Sequence, residues 1–262
     1  MHIFLTNDDG FESPGIISLA RKLSALGRVT VIAPNRGRSS CSSSLTLQEY
    51  LRLWHKESYG ENITVLTASG TTADCCKLAL DRWIADDLPD LIVSGINNGW
   101  NLGSDCLYSG TVAGAMEGIF FGISSIAISA ETIKKEALLE RAASFSAELV
   151  KTFFIDGNYK GILNVNIPAL PLEDIGWERV KTVRLGLQKY DNVIRQMKDP
   201  SGHLGFWLHG KPIPGTDKTT DVYWAHKGWI TVTPLMWDQT DQDKLSLVAQ
   251  TVDAQLTKES KL

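Results

Sequence analysis

Two adjacent carboxylates, Asp8 and Asp9, follow the apolar run Ile3-Phe4-Leu5 and are closed by Gly10. A short apolar run bounded by turn residues reads as a buried parallel strand. At the strand's carboxyl end the backbone turns, and both acids can converge on one point. Gly10 permits that turn because it has no Cβ to forbid positive φ. Ligands of open α/β sheets gather at this end of the strands. Two unneutralised carboxylates about 4 Å apart repel by roughly 4 kcal/mol at an effective dielectric of 20. A hard divalent cation removes that repulsion; a solvated Asn-Asp-Asp-Gly turn is the other reading of the same residues.

Three further stretches carry groups suited to an anion or a cation. Pro34 to Thr46 is rich in serine and contains Arg36 and Arg38, offering hydroxyl ligands and positive charge. A flexible polar linker is its alternative. Gly95-Ile96-Asn97-Asn98-Gly99-Trp100-Asn101-Leu102-Gly103 supplies tight turns and amide oxygens, which are neutral hard ligands for Mg²⁺, Mn²⁺ or Ca²⁺. Ser109-Gly110-Thr111 opens a helix of small residues, where backbone N–H groups, hydroxyls and the helix dipole favour a phosphate. The same three residues would serve as an ordinary N-cap. Asp86-Asp87 lies far from any strand end and reads as a solvated acidic turn. The histidines match no ligand spacing.

These groups are positioned by alternating elements. Ile16 to Leu26 has helical apolar spacing, and Arg28 to Ala33 is a second buried strand stopped by Pro34. That strand–helix–strand unit opens a doubly wound sheet. No GxGxxG follows the first strand, so a dinucleotide fold loses its main support. Ile63–Leu66, Leu91–Ser94, Ser125–Ser129 and Leu163–Pro168 read as further strands, the last as the final strand of the sheet. Thr72 or Asp74 is placed to cap a helix that runs through Trp83 and Ile84. A helix runs from Glu136 toward Phe154. The pattern beyond then shifts to hairpins, with a type I turn at Asp199-Pro200-Ser201-Gly202. A second hairpin is predicted with Asp221–Ala225 and Gly228–Thr233 as its strands. Leu245, Val248, Ala249, Val252 and Leu256 form one face of a C-terminal helix. The expected fold is α/β, a Rossmann-like doubly wound and mostly parallel sheet with a C-terminal β-hairpin extension and a C-terminal helix. Residues 1–170 form the catalytic core and 171–262 the extension, whose apolar-aromatic arm suits either a subunit contact or burial within one chain.

A net charge of −4 with no basic block argues against long nucleic acid. No apolar run approaches the roughly 18 residues needed to span a bilayer. The chain opens directly on a strand, so no signal peptide is expected. Cys41, Cys75, Cys76 and Cys106 lack CxxC spacing and fit a reducing cytoplasm.

Taken together, several motifs resemble the SurE (survival protein E) family of metal-dependent 5′/3′-nucleotidases. They are Leu5-Thr6-Asn7-Asp8-Asp9-Gly10 with Pro14-Gly15, Ala33-Pro34 through Ser39 to Thr46, and Gly70-Thr71 with Asp74-Cys75. They continue in Ser94-Gly95-Ile96-Asn97-Asn98-Gly99 with Asn101-Leu102-Gly103, in Tyr108-Ser109-Gly110-Thr111-Val112 and in Leu163-Asn164-Val165-Asn166. Thr220-Asp221 and Val232-Thr233-Pro234-Leu235 also fit. The resemblance implies one divalent ion per subunit, Mg²⁺ or Mn²⁺, held by Asp8, Asp9, Ser39 and Asn97. It implies hydrolysis of nucleoside monophosphates, with short polyphosphate a further substrate in some members, and a dimer or tetramer that exchanges the hairpin extension. Ser40 stands where the family usually has Gly, and Thr72 where it usually has Pro.

On this reading a metal-activated water attacks phosphorus, while Ser109, Gly110, Thr111 and Asn98 contact the phosphate. Asp8 or Asp9 acting as a covalent nucleophile is a lesser alternative. A phosphate-binding protein without catalysis would use the same residues. A metal-dependent glycosyltransferase is disfavoured by the lack of a mid-chain Asp-x-Asp.

Overall fold

The computed structural model describes residues 1–131 and 136–259. Strand β1 (His2–Thr6) is buried along its whole length. It lies between two parallel partners, β2 (Arg28–Pro34) and β5 (Leu91–Asn98). The main sheet also holds β3 (Leu53–Lys56), β4 (Ile63–Ala68), β6 (Ser125–Ala130), β7 (Ile162–Ile167), β8 (Val180–Thr182) and β11 (Ile230–Leu235). Their spatial order is β3-β4-β2-β1-β5-β6-β7-β11-β8. From β1 the chain builds outward through β2 and β4, then returns to add β5, β6 and β7 on the other side. The strand order therefore reverses between β1 and β5, where ligands of such sheets bind.

Side chains alternate across β1 as a two-residue period demands. Ile3 and Leu5 join the core beneath α1 (Pro14–Leu23) and α4 (Glu136–Val150). Phe4 packs on the opposite face with Cys75 and Cys76 of α2 (Thr72–Leu78). Both faces of the sheet are covered, which is why its central strands read as unbroken apolar runs.

The doubly wound, mostly parallel sheet matches the expectation, with three corrections. The sheet does not end at β7: β11 pairs antiparallel to it, and β8 pairs with β11. Asp221–Ala225 is not a strand but a short helix, α5, capped by Thr220, whose hydroxyl accepts the Tyr223 N–H. The cap of α2 is Thr71, one residue before the predicted Thr72. Thr71 and Asp74 form a reciprocal capping box, a Thr-x-x-Asp version of the usual pattern.

β9 (Lys189–Lys198) and β10 (Leu204–Ile213) form a separate two-stranded arm. Its tip is the predicted turn, in which the Gly202 N–H donates to the Asp199 carbonyl at 2.9 Å. Phe206, Trp207 and Leu208 on the arm are exposed, as are Leu245, Val248 and Val252 of the C-terminal helix α6 (Gln242–Glu259). Among the described residues no helix is long and apolar enough to cross a membrane.

Candidate active site

The turn after β1 is locked by its own asparagine. Asn7 Nδ2 donates to the Gly10 carbonyl at 2.9 Å, and its Oδ1 accepts the Gly10 N–H at 3.1 Å. Gly10 adopts φ +101°, a conformation that disfavours any side chain. The turn is also tied to the end of β2, since the Phe11 N–H donates to the Pro34 carbonyl. Asp8 and Asp9 are thereby fixed at the switch between β1 and β5.

Asp8 is buried, and burial pushes its carboxyl up to about 6. The Thr111 hydroxyl donates to Asp8 Oδ1 at 2.5 Å and partly offsets that rise, while the Asp9 charge adds to it. Burial also raises Asp9, against the Asn98 N–H that donates to its Oδ2 at 2.8 Å. The pair thus sits in surroundings that penalise its negative charge, the electrostatic condition under which a bound cation is favoured.

The serine-rich loop reaches the same place. The Arg38 N–H donates to the Asp8 carbonyl at 2.7 Å, and the Arg38 guanidinium donates to the Ser69 carbonyl. Ser39 follows directly, and its hydroxyl has no hydrogen-bond partner among the described residues. Ser40 adopts φ +60°, the left-handed region where glycine is at ease and other residues are strained. Ser40, where the resemblance expects glycine, therefore carries backbone strain. Ser40→Gly should stabilise the fold by about 0.5–1 kcal/mol, the strain relief outweighing the added freedom of the unfolded chain. A urea melt comparing the two proteins checks this; a less stable variant contradicts it.

Asn97 is the penultimate residue of β5 and lies beyond an irregularity in its pairing with β6 between Ser94 and Asn97. Irregularities of this kind re-aim side chains near active sites. Asn97 Nδ2 donates to the Gly99 carbonyl at 2.8 Å, which leaves the amide oxygen as its free atom. Asn101 anchors the loop behind it. Its N–H donates to Asn166 Oδ1 at 2.8 Å, its side-chain amide donates to Ser129, and its carbonyl accepts from Asn164 and Asn166.

Asp8, Ser39, Asn97, Asn98 and Ser109 line one cavity of about 440 Å³. Asp9 joins Asn97 and Asn98 in a neighbouring cavity of about 330 Å³. Ser109 caps α3 (Gly110–Met116), its Oγ accepting the Val112 N–H at 3.0 Å, so its own proton is free to donate. Gly110 stands so close to Asp8 that a Cβ there would lie 2.8 Å from the Asp8 Cβ. Thr111 gives its hydroxyl to Asp8. Gly110 and Thr111 therefore back Asp8, whereas Ser109 faces the cavity.

Hard oxygens dominate this set: two carboxylates, one hydroxyl and one amide carbonyl. Among the described residues no three His, Cys, Asp or Glu side chains come together. A cation here would need the neutral oxygens as well as the acids, and the donor chemistry suits Mg²⁺ or Mn²⁺.

The supporting residues enter the sequence analysis only as parts of motifs, with no role attached. Asn164 and Asn166 alternate with apolar residues in a fully buried strand, which is the signal that marks them as internal polar anchors. Asp221 carries no comparable local signal. It is fully buried and accepts the N–H groups of Gly103, Gly186 and Val222 at 2.7, 2.8 and 2.8 Å.

Comparison with known proteins places the chain among relatives of one family. The family model described as Survival protein SurE matches residues 3–192. A protein named 5′-nucleotidase SurE from Vibrio campbellii is 42% identical over 94% of this chain and 92% of its own length. One of the same name from Alkaliphilus metalliredigens is 38% identical over 92% of this chain and 94% of its own. The crystal structure of the SurE protein from Aquifex aeolicus superposes with a TM-score of 0.80 at 36% identity, covering 96% of this chain and 99% of that one.

Proposed function

This chain belongs to the SurE family, and on that premise we propose that it is a nucleotidase whose one divalent ion per subunit, Mg²⁺ or Mn²⁺, is held by Asp8, Asp9, Ser39 and Asn97. Its substrates are nucleoside 5′- and 3′-monophosphates, with short polyphosphate as a further one. The observation that carries the reading is the gathering of Asp8, Ser39 and Asn97, from three separate strand ends, around a single cavity.

When bound, the ion supplies positive charge to the phosphoryl oxygens and a water acidic enough to be the nucleophile. The chain's own groups do the rest. Thr111 orients Asp8. The Ser109 hydroxyl bears on the phosphoryl oxygens, where negative charge accumulates, while the Gly110 N–H is turned to the Asp8 carboxylate. The Asn98 side chain, exposed at the junction of the two cavities, supplies another donor.

Phosphate release from a panel of nucleotides, with several divalent ions and with chelator, tests the reading. Release from AMP that stops on chelation is expected. AMP that binds but is never cleaved with any ion would make the protein a sensor instead.

Residues 1–170 are read as the catalytic part and 171–262 as the part that associates. The two are not separate in the sheet, since β8 and β11 complete it. The arm exposes Ile194, Phe206, Trp207 and Leu208; Ile194 and Leu208 are cross-strand partners, with Trp207 on the opposite face. A homodimer or homotetramer covers these side chains. Sedimentation at micromolar concentration should show a dimer or larger, and Trp207→Lys with Leu208→Lys should weaken association at least about tenfold. A native protein that sediments as a monomer would refute this. All four cysteines are free, which fits the cytoplasm as the working compartment.

A further inference from the structure

The cavity that holds Asp8 has a second end with different chemistry. Beyond Asn97 and Ser109 it is walled by Trp100, Tyr108, Asp105 and Tyr190. Tyr190, at the start of β9, donates its hydroxyl to Asp105 Oδ2. Asp105 Oδ1 receives no donor among the described residues and is not sealed from solvent. Tyr108 leaves 65% of its surface exposed. The neighbouring cavity shares Asn97 and Asn98 but offers no aromatic wall; its Glu131 already accepts the Ala169 N–H at 3.0 Å.

The geometry points to this end as the nucleoside subsite, in which Asp105 accepts the ribose hydroxyls and the Tyr108 ring stacks on the base. The inference rests on the nucleotidase reading above and adds which residues select the substrate. A carboxylate repels a phosphoryl group, so Asp105 belongs at the uncharged part of the ligand. One free carboxylate oxygen is the acceptor that a ribose diol needs, as acidic residues at strand ends provide in other doubly wound sheets. An exposed aromatic face is the sequence-tolerant surface for any base. The cavity's volume of about 440 Å³ lies within the range of small-ligand sites. The Tyr190 hydroxyl occupies Asp105 Oδ2, which leaves Oδ1 as the acceptor for the ligand.

Four substrates separate the contributions. AMP carries phosphate, diol and base. Its 2′,3′-dideoxy analogue lacks the diol, ribose 5-phosphate lacks the base, and p-nitrophenyl phosphate lacks the whole nucleoside. The native protein should prefer AMP over the dideoxy analogue by about tenfold or more in kcat/KM, the worth of a hydrogen bond to a charged acceptor. In Asp105→Ala that ratio should fall to within about twofold of unity, while kcat/KM for p-nitrophenyl phosphate changes by no more than about twofold. Tyr190→Phe keeps the carboxylate and should keep the AMP preference. Tyr108→Ala should instead reduce the preference for AMP over ribose 5-phosphate, by about fivefold or more.

The inference is overturned if the native protein treats AMP and its dideoxy analogue alike, or if Asp105→Ala lowers all four substrates equally. The native comparison needs no variant, so it stands even if Asp105→Ala does not fold. Failure to cleave any of the four, p-nitrophenyl phosphate included, would instead sink the nucleotidase reading.

Discussion

Asp8→Asn should lower kcat for AMP by at least about 10³-fold, roughly 4 kcal/mol of transition-state stabilisation, while the protein remains folded. The substitution conserves shape, and the new amide oxygen can still accept from Thr111. What it removes is one of the two negative charges available to a divalent ion. Asn97 and Ser39 are neutral and cannot replace that charge. Asp9 alone would face the cation with half the formal compensation. The folded state should lose nothing at neutral pH, because burial already disfavours the ionised Asp8. Two readouts separate a lost ion from a lost fold. Circular dichroism should match the native protein. Added Mn²⁺ should raise the melting temperature of the native protein and leave that of the variant unchanged, since only a ligand of the folded state stabilises it. Full activity in the variant would reject the site.

Much of this site was legible because its chemistry lies in contiguous stretches. Asp8-Asp9-Gly10, Asn97-Asn98-Gly99 and Ser109-Gly110-Thr111 each follow or precede a recognisable element, and parallel topology brings such ends to one edge of the sheet. Less was legible where a side chain turns inward to serve the protein itself. Thr111 reads as a phosphate ligand by position, yet its hydroxyl goes to Asp8. Ser109 reads equally as a cap or a ligand, and its oxygen does cap while its proton stays free. The Asp221 region failed for a related reason. Asp221 to Ala225 is short and partly β-branched and aromatic, so local propensity favoured a strand. Contacts distant in sequence decided otherwise: Thr220 caps the turn, and the carboxylate is drawn in by amides from residues 103 and 186.

That buried carboxylate yields the largest expected effect on stability. Asp221→Ala should cost about 3–5 kcal/mol, because three N–H groups lose their acceptor at a carboxylate that is itself fully buried. For a chain of this size that is a fall of about 10 °C in melting temperature. Burial raises the Asp221 carboxyl, while the Gly103, Gly186 and Val222 amides oppose that rise. The charge is tolerated only because all three point at it. Asp221→Asn should fall between the native protein and Asp221→Ala, since it keeps one acceptor oxygen but turns an N–H donor toward another donor. The damage should also reach the active site without any direct contact. Gly103 sits at φ +51° with the Gly186 carbonyl where a Cβ would be, so the two loops interlock at Asp221. Releasing them frees the segment from Asn97 to Asp105. Activity measured well below the lowered melting temperature should therefore fall, and most steeply for AMP, whose nucleoside end meets Asp105. A melting temperature within about 1 °C of native in Asp221→Ala would mean that water replaces the carboxylate, and that the C-terminal segment does not brace the loop.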